Sequence, residues 1–523
     1  PSVQQQLPPD AALVFWIDWS HPGAADPGAF HYACVVRRQG APAWVRLPGS
    51  GPAHAWTDED GTLPERLREA LAQRSPAAAT LAQQLHAQRL EPLAPHLAAT
   101  AGLPAVTRLI AVPAGEMAGI PLDALSDRYA VSYAPSGTVF ARLAANHRPL
   151  RNPTLLALGD PAFAGPKPNR PEPPTYGLLV QQVLPDSNGA KAGLRDNDVL
   201  LAYNGSELRR LADLQVRSDG GPVPARVWRD GTARDLSLAP GKLGVVFHKE
   251  PAPVVLRERQ EFVTLVASTR GLSANPLPGT RREVQALAGL FPKERTTVLL
   301  GSEASEQRLD DLAAAGRLQA VRIVHLATHG HIDDVSAGHS ALLLAADRLP
   351  DEAEQVKQNK KVYTGRLTVA ALAAWQLDAD LVTLSACETG LGKKAVGDGF
   401  LGFTHVLLKA GARSRVVSLW KVYDAAPALL LTRFYENMLG RRDGLASPLG
   451  RAAALREAQR WLRTLPRAQA EVLSARLSGG ELRGTVSALK PPAPAAVVPT
   501  GTEDRPYAHP YYWSAFILLG DSD

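Results

Sequence analysis

The second half of the chain alternates short apolar runs with stretches that have helical spacing. The runs of strand length are TTVLLG, RIVHLAT, DLVTLSA and RVVSLW, and helical stretches such as SEQRLDDLAAAG and FLGFTHVLLKAG separate them. Strands that read as continuous apolar runs are typical of parallel sheets covered by helices. The pattern therefore predicts an α/β fold with a doubly wound, mostly parallel sheet, closed by a last strand in YYWSAFILLGD.

The first 160 residues carry a more mixed pattern. Alternating positions in ALVFWIDW, HYACVVRR and AWVRL predict a small antiparallel sheet. Helical spacing follows in LPERLREALAQ and LAQQLHAQRLEPLAPHLAA, and TLLALGD at 154–160 reads as another strand. We therefore expect an N-terminal α/β region, β-rich over 1–84, with the first part of the main sheet over 85–160.

The alternation of predicted strands and helices is interrupted after residue 160. The stretch PAFAGPKPNRPEPPTYG is too rich in proline to continue a sheet and reads as a linker. A compact β-rich pattern follows, and its Asn204–Gly205 pair is the sequence signal of a two-residue hairpin turn. This predicts a small domain inserted over 172–252, after which the main α/β region resumes over 253–523.

Composition narrows the class of protein. The chain has 523 residues, is 45% hydrophobic and carries 57 basic against 51 acidic residues, a net charge of +6. The basic excess is scattered and comes with no recognition module, so no specific nucleic-acid partner is expected. The chain has only two cysteines, no apolar run of membrane-spanning length and no secretory leader. These features favour a reducing, cytoplasmic location. The chain lacks an initiator methionine, so we expect a fragment or a processed chain.

Two of the predicted strands are followed by residues with reactive side chains. His329 follows the strand in VHLATHG, and Cys387 follows the strand in LSACETG. Side chains at the carboxyl ends of neighbouring parallel strands converge on one cleft, where an imidazole can activate a thiol. Taken singly, each residue is more often a buried structural residue. No metal or cofactor is expected, because no helix carries paired ligands at metal spacing.

Together these motifs resemble the CHAT domain, a family of caspase- and separase-like bacterial cysteine peptidases. The likeness runs from about Ala82 to Asp521 outside 161–277, through LALGDPAF, LPGTRREVQALAGLF, VHLATHG, LDADLVTLSACETGLG, GFLGFTHVLLKAGARSRVVSLWKVYDAA and HPYYWSAFILLGD. The resemblance implies a caspase-like fold and a cysteine endopeptidase that cleaves a protein or peptide. It implies that His329 is the general base or acid and Cys387 the nucleophile. The N–H groups of Gly330 and Cys387 would form the oxyanion hole.

The resemblance also indicates where a substrate would lie. In caspase-like folds the substrate adds a strand beside the segment that follows the next core strand, here VVSLWKVYD at 416–424. Ser418, Leu419 and Trp420 would then present backbone and an apolar wall, and an activating protein partner could order the loops of the site. Asp424 could select a basic substrate residue, but the N-cap of the following helix is the favoured role for it.

The inserted segment resembles a PDZ domain of the kind attached to bacterial quality-control serine proteases. The residues that carry this likeness are LLVQQVLPDSNGAKAGL, DNDVLLAYNG and VPARVWRDGTARDLSL. In GKLGVVF at 241–247 the N–H groups around Leu243, Gly244 and Val245 would bind a peptide carboxylate, or the motif is only a last structural strand. Such a module would recruit or gate substrate. The alternative function for the whole chain is a non-catalytic caspase-like scaffold for protein–protein interaction.

Overall fold

The chain divides into two compact units. A computed structural model describes residues 3–19, 30–113, 115–163, 174–229, 231–256, 277–331, 338, 340–349, 361, 363–386, 398–420, 422, 425–477 and 504–523. The first unit comprises Pro1–Phe163 and Pro276–Asp523, and the second comprises Ala164–Asn275. The predicted inserted domain, 172–252, falls within the second unit.

The described residues include twenty β-strands, fifteen α-helices and five short 3-10 helices. The strands are β1 Ala11–Trp19, β2 Phe30–Arg37, β3 Ala43–Arg46, β4 Arg108–Val112, β5 Ala130–Tyr133, β6 Leu155–Pro161, β7 Leu178–Val183, β8 Val199–Tyr203, β9 Ser206–Glu207, β10 Val223–Arg229, β11 Thr232–Leu238, β12 Val245–Phe247, β13 Thr296–Gly301, β14 Ile323–Ala327, β15 Gly330–His331, β16 Ala341–Leu343, β17 Arg366–Thr368, β18 Leu381–Leu384, β19 Ser414–Ser418 and β20 Phe516–Gly520.

The helices of the same residues are α1 Val3–Gln6, α2 Asp58–Ala72, α3 Ala78–Arg89, α4 Ala94–Leu97, α5 Leu122–Leu125, α6 Gly137–Ala145, α7 Asn188–Lys191, α8 Pro278–Ala288, α9 Glu306–Ala314, α10 Val369–Leu372, α11 Asp398–Ala410, α12 Ala426–Leu439, α13 Arg451–Thr464, α14 Arg467–Leu477 and α15 Pro510–Trp513. None of these helices combines the length and apolar character needed to cross a membrane.

One eleven-stranded sheet forms the centre of the first unit. Its order is β13-β6-β14-β18-β19-β20-β5-β4-β1-β2-β3. The five strands from β13 to β19 are parallel to one another, and β20 runs antiparallel to β19. The prediction of a mostly parallel sheet in an α/β fold is confirmed, and the last predicted strand is β20.

The central strands are apolar because they are buried along their whole length. Every residue of β6, β14, β18 and β19 is buried. Helix α8 packs on β6 and β14, while α12 packs against α8 and α13. The continuous apolar runs of the sequence are therefore the central strands of this sheet.

The N-terminal part of the chain extends this sheet. Strands β1, β2 and β3 pair antiparallel, as the alternating pattern predicts, and β1 also pairs parallel with β4. Strand β4 is parallel to β5, and β5 is joined to β20. Helices α2 and α3 contact each other and contribute Leu67, Leu71 and Leu85 to the main core.

The second unit is a small β-rich domain with its own core. Its sheet runs β11-β10-β8-β7-β12, with β9 paired to β8. Asn204 and Gly205, at φ 52° and 78°, form the turn between β8 and β9, where Tyr203 pairs with Ser206. Two successive residues with positive φ are what a tight hairpin of this kind needs, so the predicted Asn–Gly turn is confirmed.

Candidate active site at the carboxyl ends of the central strands

Strands β14 and β18, which precede His329 and Cys387, are direct neighbours. They are parallel, and Leu326 is paired with Leu384. His329 follows Leu326 by three residues, and Cys387 follows Leu384 by the same number. The ladder continues one step further through the Ser385 N–H, which donates to the Leu326 carbonyl at 2.9 Å. Cys387 itself lies outside the described residues.

His329 is held in place by the strand pairing around it and by an aromatic ring. It is 4% exposed. The Leu343 N–H donates to the His329 carbonyl at 2.8 Å, and the Thr328 hydroxyl donates to the Leu343 carbonyl at 2.5 Å. The ring of Phe163 lies against the imidazole, with 5.5 Å between ring centroids and 38° between their planes. The imidazole is therefore enclosed at the mouth of β14 and not free in solvent.

The backbone of Gly330 is oriented by a small separate sheet, β15-β16-β17. Gly330 faces Leu342 across the antiparallel pair of β15 and β16. Because the neighbouring pair, His329 and Leu343, carries a hydrogen bond, Gly330 and Leu342 form a pair without one. In such a pair the N–H points away from the partner strand, so the Gly330 N–H is not directed at β16.

A buried glutamate holds the turn that leads into this small sheet. Oε2 of Glu306 accepts three backbone N–H groups, from Thr364 at 2.9 Å, Gly365 at 2.7 Å and Arg366 at 3.1 Å. Burial raises the pKa of the Glu306 carboxyl, although those three donors act in the opposite direction. The hydrogen bond from the Leu344 N–H to the Gly365 carbonyl, 2.7 Å long, then ties the turn to the segment after β16.

His325, which lies within β14 four residues before His329, is part of the core. It is fully buried, with Nε2 at 2.8 Å from Glu283 Oε1 and Nδ1 at 3.4 Å from the Tyr435 hydroxyl. That hydroxyl also lies 2.9 Å from Oγ1 of Thr383 on β18. Burial raises the pKa of Tyr435 above its usual range. The four side chains join β14 and β18 to helices α8 and α12.

The carboxyl end of β6, on the other side of β14, holds residues that sequence reasoning missed. Asp160 is fully buried and has a left-handed backbone, with φ 48°. Its Oδ2 accepts from Nε of Arg281 at 2.5 Å, and burial raises the pKa of its carboxyl. Phe163 follows three residues later. Both residues lie in the sequence motif LALGDPAF, but this motif was used only as part of the family resemblance and not to predict site residues.

The predicted substrate-binding residues lie at the end of β19. Ser418 and Trp420 are 1% and 4% exposed, and the Trp420 indole N–H donates to the Tyr511 carbonyl at 2.9 Å. The Leu419 N–H donates to the Ala515 carbonyl at 2.8 Å. Asp424 lies outside the described residues. A substrate role for this segment stays a prediction.

The predicted carboxylate-binding loop of the second unit leads into an edge strand. Among the described residues β12 pairs only with β7, so one of its edges remains open. The carbonyls of Leu243 and Gly244 accept N–H groups from Gly189 and Leu184, at 2.8 and 2.9 Å. Binding of a peptide carboxylate at Leu243, Gly244 and Val245 stays a prediction.

Within the described part of the chain, no group of three or more His, Cys, Asp or Glu side chains is placed to hold a metal ion.

Comparison with known proteins gives one family match that covers most of the chain. A family model described as the CHAT domain matches residues 79–521. Human tetratricopeptide repeat protein 28 is 28% identical over 208 residues, which are 35% of this chain and 8% of that protein. A probable periplasmic serine endoprotease, DegP-like, of Marinomonas sp. (strain MWYL1) is 37% identical over 67 residues, which are 12% of this chain and 14% of that protein. The chain therefore spans a small fraction of both relatives.

Solved structures give two further likenesses. The separase–securin complex of Saccharomyces cerevisiae aligns over 99% of this chain and 30% of that one, at 10% identity and a TM-score of 0.38. The HtrA3 PDZ domain, bound to a phage-derived ligand, aligns over 14% of this chain and 67% of that one. Its identity is 28% and its TM-score 0.13.

Proposed function

The chain belongs to the CHAT domain family, and from this premise we propose that it is a cysteine endopeptidase with a dyad of His329 and Cys387. The observation that carries the proposal is the register of the two central strands. Both residues stand three positions beyond a directly paired leucine, Leu326 or Leu384. Parallel strands in register deliver such residues to the same edge of a sheet.

The proposed reaction uses the groups of this edge in turn. The imidazole of His329 takes the proton of the Cys387 thiol, and the thiolate attacks the scissile carbonyl carbon. The Gly330 and Cys387 N–H groups stabilise the oxyanion, and the orientation of Gly330 away from β16 supports this role. His329 then gives its proton to the leaving amine. Water, deprotonated by His329, hydrolyses the thioester and frees the carboxylic acid and the thiol.

The substrate is proposed to be an extended segment of a protein. Its backbone would pair beside Ser418, Leu419 and Trp420, with the burial of Trp420 supporting a rigid wall and not a mobile contact. Asp424 selects a basic residue only if it does not cap the following helix. Ordering of the loops by an activating protein partner is part of the same proposal.

The second unit is proposed to recruit a substrate or partner tail. One edge of β12 pairs with no other strand among the described residues, and this edge, next to Leu243, Gly244 and Val245, supports binding of a peptide by strand addition. This unit would raise the local concentration of substrate and leave the bond-breaking chemistry unchanged.

A peptide library read by mass spectrometry tests the proposal. We expect the full chain to cleave a subset of peptides and Cys387→Ala to cleave none. A thiol-reactive peptide probe should modify Cys387 in the wild type, with buried Cys34 as the internal reference thiol. Equal probe labelling of the wild type and Cys387→Ala, with no cleavage by either, would instead identify a non-catalytic scaffold.

Removal of 172–252 tests the role of the second unit. It should leave peptide cleavage intact and slow the cleavage of a protein substrate. Unchanged cleavage of the protein substrate would contradict recruitment.

A further inference from the structure

We propose that Phe163 is a positioning residue for His329, and that the β-bulge at Asp160, called the corner of β6 below, sets where Phe163 lies. The inference rests on the dyad proposed above. It assigns a role to the segment between β6 and the second unit, which supplies no reacting group of its own.

The corner is built by close contact between β6 and α8. An added Cβ at Gly159 would lie 2.7 Å from a methyl carbon of Val284 and 2.9 Å from the Thr280 carbonyl oxygen, so the helix rests directly on the strand there. The Asp160 N–H donates to the Thr280 hydroxyl oxygen at 2.9 Å. Together with the 2.5 Å contact between Asp160 and Arg281, these interactions fix the end of β6 from the helix side.

The backbone of Asp160 is in the left-handed conformation, which residues other than glycine seldom adopt. Its φ of 48° lies in the left-handed region, where a residue other than glycine is strained by about 1 kcal/mol or more. Strained residues of this kind persist where their surroundings hold them. Here the Arg281 guanidinium and the Thr280 hydroxyl do so, and the pairing of β6 with β13 shifts register between Gly159 and Pro161, which leaves Asp160 as a bulge in the strand.

After the corner, the chain is tied to both neighbouring segments. The Ala162 N–H donates to the Gly301 carbonyl at 3.1 Å, and the Ala162 carbonyl accepts the Ala346 N–H at 3.0 Å. Strand β13 on one side and the segment after β16 on the other therefore fix Ala162. Phe163, the next residue, has little freedom to move away from the imidazole 5.5 Å from it.

A fixed ring against the imidazole matters because proton transfer depends on orientation. A general base must keep its nitrogen aimed at the thiol, and small misplacements of catalytic groups lower rates steeply. Phe163 contacts the imidazole without offering it a hydrogen bond. Its loss should therefore weaken the coupling of His329 to Cys387 and leave substrate affinity almost unchanged.

The experiment measures the pH dependence of Cys387 alkylation by iodoacetamide in the full chain, read at Cys387 by peptide mass spectrometry. In the wild type we expect faster alkylation near pH 6 than in His329→Ala, because the imidazolium favours the thiolate. Phe163→Ala should lose most of that difference, with a rate about tenfold below the wild type. Phe163→Tyr, which keeps the ring, should restore the wild-type profile.

Two outcomes would overturn the inference, and they separate it from the proposed function. If Phe163→Ala keeps the wild-type profile while His329→Ala loses it, the dyad stands and the positioning role is wrong. If the wild type already matches His329→Ala, the dyad fails and the inference fails with it. Combining Phe163→Ala with His329→Ala should give the rate of His329→Ala alone. A further change in that double variant would mean that Phe163 acts by general loosening of the fold, and would reject the positioning role.

Arg281 provides a test that leaves the imidazole contact untouched. Its side chain is 41% exposed and donates to the Asp160 carboxylate. Arg281→Ala should shift the alkylation profile in the same direction as Phe163→Ala but by a smaller factor, while Arg281→Lys should shift it less. An Arg281→Ala profile equal to the wild type would show that the corner does not set the position of Phe163.

Discussion

His325 and His329 stand four residues apart, yet they meet different surroundings. His325 is fully buried, and both of its ring nitrogens have partners in Glu283 and Tyr435. His329 is also buried, but it lies beyond the end of β14 against the ring of Phe163. The first histidine is placed to hold helices on the sheet, and the second is placed at the candidate site.

The pair of Glu283 and His325 should therefore matter for stability. We expect Glu283→Ala to lower the free energy of unfolding by about 3 kcal/mol, because it leaves a buried imidazole without its acceptor. Glu283→Gln keeps the side-chain shape and one acceptor oxygen and should cost about 1 to 2 kcal/mol. Urea unfolding followed by tryptophan fluorescence measures both. A loss below about 1 kcal/mol for Glu283→Ala would contradict a structural role for the pair.

At the scale of elements, the small sheet β15-β16-β17 determines where the Gly330 N–H points. It has only two or three residues per strand, so its turns need support from outside. Glu306, at the start of α9, provides that support through three backbone N–H groups. One side chain thus connects a helix, a turn and the backbone donor proposed for the oxyanion hole.

Removing that carboxylate should loosen the small sheet before the rest of the unit. We expect Glu306→Ala to speed amide hydrogen exchange by about tenfold or more in peptides covering 340–345 and 363–368, because three partly buried donors lose their acceptor. Exchange in β6 and β18 should change little. The exposed Glu294→Ala serves as the matched control. Equal exchange rates in Glu306→Ala and the wild type would show that the turn holds without Glu306.

The elements that sequence analysis predicted are those with a strong local signal. Strands β14, β18 and β19 are buried throughout and read as continuous apolar runs, so they could be found, and with them the position of His329. The small sheet could not be found, because two or three residues per strand give no periodicity. Asp160, Phe163 and Arg281 were missed because their contacts join positions about 120 to 165 residues apart, which no local pattern encodes.

At the scale of the whole molecule, β20 joins the two parts of the sheet. It pairs antiparallel with β19 and parallel with β5, so the strands behind His329 and the N-terminal strands share one continuous sheet. The apolar side chains of both parts belong to one core cluster. The stability of the first unit should therefore respond to changes far from the candidate site.

Asp123, in α5 of the N-terminal part, should make that stability depend on pH. Burial raises the pKa of its carboxyl to about 7, and Arg456 offsets only part of the shift. Because the folded state holds this proton more tightly, the stabilisation is complete below the usual pKa of 3.8 and is lost as the pH rises towards 7. Relative to Asp123→Asn, the wild type should lose roughly 3 to 4 kcal/mol between pH 4 and pH 8.

Urea unfolding at several pH values measures this difference, and Asp127→Asn is its control. Arg463 donates to the Asp127 carboxylate and holds its pKa below the usual value. The Asp127 contribution should therefore be present above pH 4 and be lost only in stronger acid. Parallel pH profiles for Asp123→Asn and the wild type would show that Asp123 is not protonated in the folded protein at neutral pH.

The central position of β20 has a consequence during translation. Strand β5 ends at residue 133 and β20 begins at 516, so 382 residues (515 − 133) are made between them. At about 5 to 20 residues per second, roughly 20 to 80 s pass between the two strands. Until then β5 and β19 each lack the strand that joins them, and unpaired edges invite aggregation. The nascent chain should therefore depend on chaperones while it waits, and the sheet of the first unit should stay incomplete on the ribosome.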